Sequence, residues 1–424
     1  MKTSLPTSEL GRTGMRLTRA GFGAWAIGGG DWAFAWGNQD DAASVAAIRH
    51  AVESGINWID TAAVYGLGHS EEVVATALAG LPEADRPYVF TKGGLVWDPA
   101  DRSAAPRRAG APASLRAEVE ASLRRLRVER VDLYQMHWPA EDGTPLEEYW
   151  QVFADLKREG KIRAAGLSNH DVLQLEAAEQ VAPVDAIQPP FNLIHRGAAD
   201  AVLPWAAHHQ AGVIVYSPMA SGLLTGAFTA ARAAGLQPGD WRAGHPDFTA
   251  PALSANLALA DALRPVAERH GVTPAAVAVA WTLAFPGVTG AIVGARSPRQ
   301  VDGWLPAASL ELKDDDLADI AAAVRATGAG TGPAAPAAAA GGAPSPLDPA
   351  APARPSRPRR GNSPGATLAE VEQLLVEAAE APRGVDQVDL QDPVARPPAR
   401  KITGRTAASR QARPLATSSP GIPG

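Results

Sequence analysis

The 424-residue chain contains no cysteine. That excludes a disulfide framework, a thiol nucleophile, an iron–sulfur cluster and a thiolate zinc site. Its nine histidines show no H-x-x-x-H or similar spacing that would set two imidazoles on one helix face, so no metal is expected. No stretch approaches the ~18 uncharged apolar residues of a spanning helix. The opening M-K-T-S-L-P-T-S-E-L-G lacks the apolar core of a secretion signal, and a cytoplasmic protein is expected. There is no G-x-x-x-x-G-K-[ST] phosphate loop, and G-F-G-A-W-A-I-G at 21–28 departs from the glycine pattern of a dinucleotide-binding turn.

Aromatics are missing from one part of the chain. All 11 Trp, 5 Tyr and 8 Phe lie at or before Trp304, whereas 16 of the 37 prolines lie from Thr331 onward. A segment of Ala, Pro, Gly and Arg without aromatics buries too little apolar area to offset its chain entropy. Residues 331–424 are therefore expected to be a mostly disordered tail, and residues 1–330 the folded domain. The tail holds 11 basic and 8 acidic residues, which leaves the first 330 at net −9 against −6 for the whole chain. An acidic body argues against nucleic acid as its substrate. Within the tail, Arg354, Arg357, Arg359 and Arg360 form a basic run, and Leu368, Val371, Leu374 and Leu375 a short amphipathic stripe. The stripe reads either as a marginal isolated helix or as a docking element for a partner.

In the first 330 residues, short apolar runs alternate with helical patterns. Strands are predicted at 20–23, 56–59, 88–91, 131–136, 164–167, 185–188, 213–216 and 290–293, and helices at Asp41–Ser54 and Ser114–Leu126 among others. Leu115, Val119, Leu123 and Leu126 recur on one helical face. Eight strand–helix units predict an α/β fold, a closed (β/α)8 TIM barrel with a C-terminal extension. The stretch from Pro218 to Thr249 after the seventh strand is long and loop-like, as binding loops are.

In such a barrel the chemistry sits where strands exit at the C-terminal face. Those exits carry Asp60, Lys92, His137, Ser168-Asn169, Gln188, Tyr216-Ser217 and Gly294-Ala295-Arg296, with Tyr65 five residues beyond Asp60. Each polar residue follows directly on an apolar run. Five tryptophans, Trp25, Trp32, Trp36, Trp97 and Trp138, also follow predicted strands. They predict an aromatic-walled substrate funnel, with Trp25 and Trp138 as the contacts.

Seven segments then stand in order: D-T-A-A-V-Y-G-L-G-H-S-E (60–71), T-K-G-G (91–94), L-Y-Q-M-H-W-P (133–139), K-I-R-A-A-G-L-S-N (161–169), I-Q-P-P-F-N (187–192), Y-S-P-M-A-S-G-L-L-T-G (216–226) and V-G-A-R-S-P-R-Q (293–300). In these the chain resembles the aldo-keto reductase family from about Leu10 to about Pro333, and most closely its bacterial general-stress branch.

The resemblance implies an NADP-dependent oxidoreductase that interconverts aldehydes or ketones and alcohols. It implies a metal-free catalytic tetrad of Asp60, Tyr65, Lys92 and His137. Carbonyl reduction leaves charge on oxygen, so an acid must protonate it. A phenol with pKa near ~10 needs a neighbouring cation to act at neutral pH. Lys92 would supply that cation, Asp60 would hold it, and His137 would orient the carbonyl. Ser168, Asn169 and Gln188 would meet the nicotinamide carboxamide and Tyr216 its ring, with Ser217 and Leu223 further along the cofactor. Gly294, Ala295 and the helix beginning at Ser297-Pro298 would hold a phosphate. Arg296 would pair with a 2′-phosphate and so favour NADP, and Gln300 would reach the adenosine. Relatives commonly carry Arg or Gln where this chain has Ser221, which removes one expected pyrophosphate contact. Two other readings remain open: a cofactor-sensing regulatory or binding subunit with little turnover, and a barrel in which Lys92 forms a Schiff base.

Overall fold

The computed structural model describes residues 4–237 and 240–336. The expected tail beyond residue 336, including its basic run and its Leu368–Leu375 stripe, lies outside the described residues.

Eight parallel strands close into a barrel in chain order. They are β1 (Ala20–Gly23), β2 (Trp58–Asp60), β3 (Tyr88–Gly93), β4 (Val131–Met136), β5 (Ile162–Ser168), β6 (Ala186–Gln188), β7 (Gly212–Val215) and β8 (Gly290–Gly294). All eight predicted strands are present, and the (β/α)8 reading holds. The helix expected from Ser114 to Leu126 runs Pro112–Leu126, and its Leu115, Val119, Leu123 and Leu126 are buried. The helix expected from Asp41 runs Asp41–Glu53, and the Asp40 side chain caps it by accepting from the Ala43 amide at 2.7 Å.

The barrel interior is layered by the two-residue period of its strands. Its lower layer is apolar: Trp58, Phe90, Leu133, Ala164, Ala186, Ile214 and Ile292 pack together with Leu10, Met15 and Leu17. The last three come from an antiparallel hairpin, Thr7–Glu9 with Arg16–Thr18, that precedes the barrel. Trp58 occupies so much of this layer that a Cβ on Gly21 would lie 2.1 Å from its ring. Two residues further along the same strands stand Asp60, Lys92, Gln135, Gln188, Tyr216 and Gly294. The period that builds the apolar plug therefore also delivers the polar layer above it.

Three features depart from the sequence reading. The N-terminal hairpin and a second one, Leu95–Val96 with Arg107–Arg108 after β3, are made of two- and three-residue strands, too short for any periodicity to show. The 218–249 segment is not plain loop, because it folds into short helical turns at Ala220–Thr225, Ala230–Ala234, Trp241–Gly244 and Pro246–Phe248. Finally, Thr331 pairs with His195, and Arg196 Nε donates to the Gly332 carbonyl at 3.1 Å.

Beside β5, His170 is buried between the Ser168 carbonyl and the Tyr149 hydroxyl, each 2.8 Å away. Burial pushes its pKa from 6.5 down to about 4, and that of His245 equally to about 4. Both stay neutral in the fold and take up a proton on unfolding between those values, so stability is full above pH 6.5 and is lost as pH falls toward 4. The melting temperature should fall across that window and His170→Gln should flatten the slope; a melting temperature constant over the window contradicts this.

Candidate functional site

Asp60 ends β2 and Lys92 lies on the neighbouring β3, both facing the barrel axis and both sealed from solvent. Lys92 Nζ donates to Asp60 Oδ1 at 2.5 Å, to the Thr61 carbonyl at 2.9 Å and to the Tyr65 hydroxyl at 3.4 Å. The other carboxylate oxygen of Asp60 accepts from Gln188 Nε2 at 2.9 Å and from Gln135 Nε2 at 3.3 Å. Burial pushes Asp60 up and Lys92 down, while their mutual attraction and these hydrogen bonds oppose both shifts. A buried pair with its remaining valences satisfied can persist; removing one partner from such a pair typically costs about 3–5 kcal/mol.

The His137 imidazole meets the Tyr65 ring edge-on, with centroids 5.7 Å apart. Burial first, then the charges of Lys92 and Arg108, hold its pKa well below 6.5. The ring is therefore neutral at neutral pH. Its Nδ1 is buried without a protein partner. An unpaired buried donor costs more than an unpaired acceptor, which favours the tautomer with its proton on Nε2.

The loop carrying Tyr65 is set by close backbone contact. Gly66 has φ +63°, and a Cβ there would stand 1.9 Å from the Gly28 carbonyl oxygen. The H-S-E end of the 60–71 motif is scaffolding. Ser70 Oγ donates to the Ala24 carbonyl and meets Thr61 Oγ1, both at 2.9 Å. Glu71 accepts from Thr91 Oγ1 and Arg125 Nε, each at 2.6 Å, which braces the strand next to Lys92.

Above this floor opens a cavity of about 480 Å³ lined by Trp25, Trp32, Phe34, Trp36, Trp138, Tyr65 and His137 on one side. Trp25 stacks on Tyr65 at 6.2 Å and on Trp241 at 5.6 Å, and Trp36 meets Trp25 edge-on at 5.2 Å. Of the five tryptophans expected at the mouth, four line the cavity. Trp97 packs behind them instead, against the cluster of Trp32, Ala35, Ala62 and Val64. The opposite side of the same cavity is lined by Ser168, Asn169, Gln188, Tyr216, Ser217, Gly294, Ala295, Arg296 and Gln300. Leu223 is fully buried in the apolar core, and its side chain does not line the cavity.

The aldo/keto reductase family model matches residues 19–325. The chain belongs to the aldo/keto reductase family. The aldo-keto reductase YhdN of Bacillus subtilis is 36% identical over 314 residues, which cover 74% of this chain and 92% of that protein. The NADH-specific methylglyoxal reductase of Escherichia coli is 35% identical over 318 residues, covering 72% of this chain and 94% of that one. The structure of the glycerol dehydrogenase AKR11B4 from Gluconobacter oxydans matches with a TM-score of 0.69 at 38% identity, covering 82% of this chain and 99% of that chain. The chain is thus an oxidoreductase of this family, whose members use nicotinamide cofactors.

The second side of the cavity fits such a cofactor. Ser221 Oγ is buried there without a protein partner, and a Cβ at Gly222, with φ +103°, would touch the Arg242 guanidinium at 3.8 Å. Several expected contacts already serve the fold. The Asn169 amide nitrogen donates to the His137 carbonyl at 3.0 Å and to Ser168 Oγ at 3.1 Å, and its oxygen accepts from the Tyr216 hydroxyl at 2.8 Å. Asn169 therefore fixes the His137 exit and the tilt of Tyr216 together. Arg296 is likewise engaged: its Nε donates to Gln39 Oε1 at 2.5 Å, Nη1 to the Trp36 carbonyl at 3.3 Å and Nη2 to the Asn38 carbonyl.

Sequence reasoning missed Gln135, Arg108, Phe34, Gln39, Trp241 and Arg242. Gln135 was detectable as the inward neighbour of Leu133 on the same strand. The others lie in the connections between barrel strands, on short hairpins, turns and loops whose paths no periodicity encodes. Arg242 takes the region where Ser221 lacks a long side chain: its Nη1 donates to the Ser221 carbonyl at 3.3 Å, and its guanidinium lies 4.7 Å from the Trp36 ring.

Gly66→Ala should melt several degrees below Gly80→Ala. Both residues have positive φ, but a Cβ at Gly80 meets nothing within 4 Å, so that substitution carries only the cost of its φ, about 1 kcal/mol. Equal melting temperatures would show that the Gly28 contact does not constrain the Tyr65 loop.

Proposed function

We propose that the chain is an NADP-dependent oxidoreductase interconverting aldehydes or ketones and alcohols, with Tyr65 as proton donor supported by Lys92, Asp60 and His137. The observation that carries this reading is the position of Lys92 Nζ, 3.4 Å from the Tyr65 hydroxyl and 2.5 Å from Asp60, at the floor of the aromatic cavity. Ser168, Asn169, Gln188 and Tyr216 would hold a nicotinamide along their side of the cavity, and the bound cofactor would supply the hydride for the carbonyl carbon. Tyr65 gives its proton to the carbonyl oxygen, and the ammonium of Lys92 stabilises the phenolate left behind. Asp60 keeps that ammonium charged despite its burial. His137, neutral and protonated on Nε2, donates to the same oxygen and fixes the angle at which the carbonyl meets Tyr65. The apolar wall excludes water, which strengthens each of these interactions.

Tyr65→Phe should lower kcat for NADPH-dependent carbonyl reduction by about 10²–10⁴ while fluorescence titration still shows cofactor binding. Turnover near wild type would remove Tyr65 from the proposed role.

Cofactor choice turns on Arg296. The E. coli relative is NADH-specific by name, whereas Arg296 here presents a guanidinium suited to a 2′-phosphate. To pair with that phosphate, Arg296 must give up acceptors on residues 36–39. Gln39 thus competes with the 2′-phosphate. Arg296→Ala should weaken NADPH binding at least about tenfold more than NADH binding. Gln39→Ala should tighten NADPH relative to NADH. Equal effects of Arg296→Ala on the two cofactors would argue against NADP preference.

A further inference from the structure

The chain's folded part is acidic overall, yet the cavity is not. Among the described residues lining it, the only carboxylate is Asp60, which Lys92 already occupies, against four arginines, Arg108, Arg232, Arg242 and Arg296. Three of these have evident occupations. Arg242 is paired with Asp240 at 2.6 Å, Arg296 is held by residues 36–39, and Arg232 is exposed at the rim beside Phe228. Arg108 differs from them in burial, in position and in what remains of its donors.

Arg108 is only 8% exposed. It ends the short hairpin inserted after β3, paired with Leu95, beside the β4 exit that carries His137 and Trp138. Arg242 and Arg296 belong to the segments after β7 and β8, halfway round the barrel. If the cofactor lies along those segments, Arg108 is on the substrate side. Its guanidinium lies over the Trp138 ring, 4.3 Å from its centroid. One nitrogen, Nη1, pairs with Glu141, a carboxylate half exposed at the rim. Its Nε and Nη2 make no hydrogen bond among the described residues. These two N–H groups form the side-on fork of a guanidinium, which matches a planar carboxylate with two parallel hydrogen bonds. Burying a guanidinium is costly unless its donors are used. The charge also acts at the chemistry, because it helps to keep the His137 imidazole neutral.

We propose that the substrate is an oxo-carboxylate, an aldehyde or ketone bearing a carboxylate, and that Arg108 binds this carboxylate through Nε and Nη2 against the face of Trp138 while the carbonyl meets Tyr65 and His137. This rests on the reductase reading above and adds the substrate class to it. Arg108 acts here as a specificity residue and transfers no proton.

The test uses the full chain and the ratio of kcat/KM for 4-carboxybenzaldehyde to that for 4-nitrobenzaldehyde, whose nitro group has the same shape without the charge. Comparing this ratio between wild type and Arg108→Gln cancels the different intrinsic reactivities of the two aldehydes. The ratio should fall at least about tenfold in the variant, carried by KM of the carboxylate substrate. In the wild type it should also fall as salt rises from ~0.01 M to ~0.5 M, where screening shortens from about 30 Å to a few ångströms. If Arg108→Gln fails to fold, Arg108→Lys retains the charge without the fork and should lose part of the ratio. A ratio unchanged by substitution overturns the proposal, and so does a preference for benzaldehyde 4-phosphate over the carboxylate. If the wild type oxidises neither NADPH nor NADH with any of these aldehydes, the reductase reading itself fails, an outcome distinct from an active enzyme indifferent to Arg108.

Discussion

Everything at the top of this barrel depends on an ion pair with no access to water. Lys92 and Asp60 stand on adjacent strands at 2.5 Å, where neither charge would survive alone. Their neighbours are arranged around that constraint. Gln188 and Gln135 saturate the second carboxylate oxygen, and the Thr61 carbonyl takes a further ammonium proton. What remains of the ammonium points to Tyr65. The same pairing that stabilises two buried charges thus leaves one donor directed at Tyr65, which lines the cavity.

The pair is positioned by barrel geometry rather than by local structure. Parallel neighbours in register bring Asp60 beside Phe90 and Lys92 beside Gln135, and the inward period of two stacks this layer on Trp58, Phe90 and Leu133. A one-residue slip on any strand would turn its polar residue outward and an apolar one inward. The plug beneath, closed by Leu10, Met15 and Leu17 from the N-terminal hairpin, therefore serves the chemistry indirectly, because it holds the register on which the pair depends. Glu71 contributes on the outer side of β3 by gripping Thr91 and Arg125.

This explains which parts were legible in the sequence. Polar residues that follow directly on an apolar strand run betray themselves, and Asp60, Lys92, Gln188 and Tyr216 were singled out that way, together with all eight strands. The loops have no such grammar. Trp241 and Arg242, in the turn Trp241–Gly244, meet Trp36 and Ser221, the latter across 21 residues of chain, and the Gln39–Arg296 contact spans 257. Such contacts are set by where three loops converge in space. Leu223 shows a side chain that the motif alone does not orient. It lies in a motif whose neighbours face the cavity, but the turn through Ser221 and Gly222, both at positive φ, sends its side chain into the core.

The mouth couples the two halves of the site. Trp36 carries the carbonyl that receives Arg296, packs edge-on against Trp25, and offers its ring to Arg242. Trp25 in turn stacks on Tyr65. A group that draws Arg296 away from residues 36–39 therefore pulls on the wall that lies against Tyr65. The converse also follows: a substrate that presses Trp25 outward disturbs the segment that competes for Arg296. Trp36 and Trp25 thus form a continuous path of contacts between the two ends, and any coupling of binding that they carry must be reciprocal.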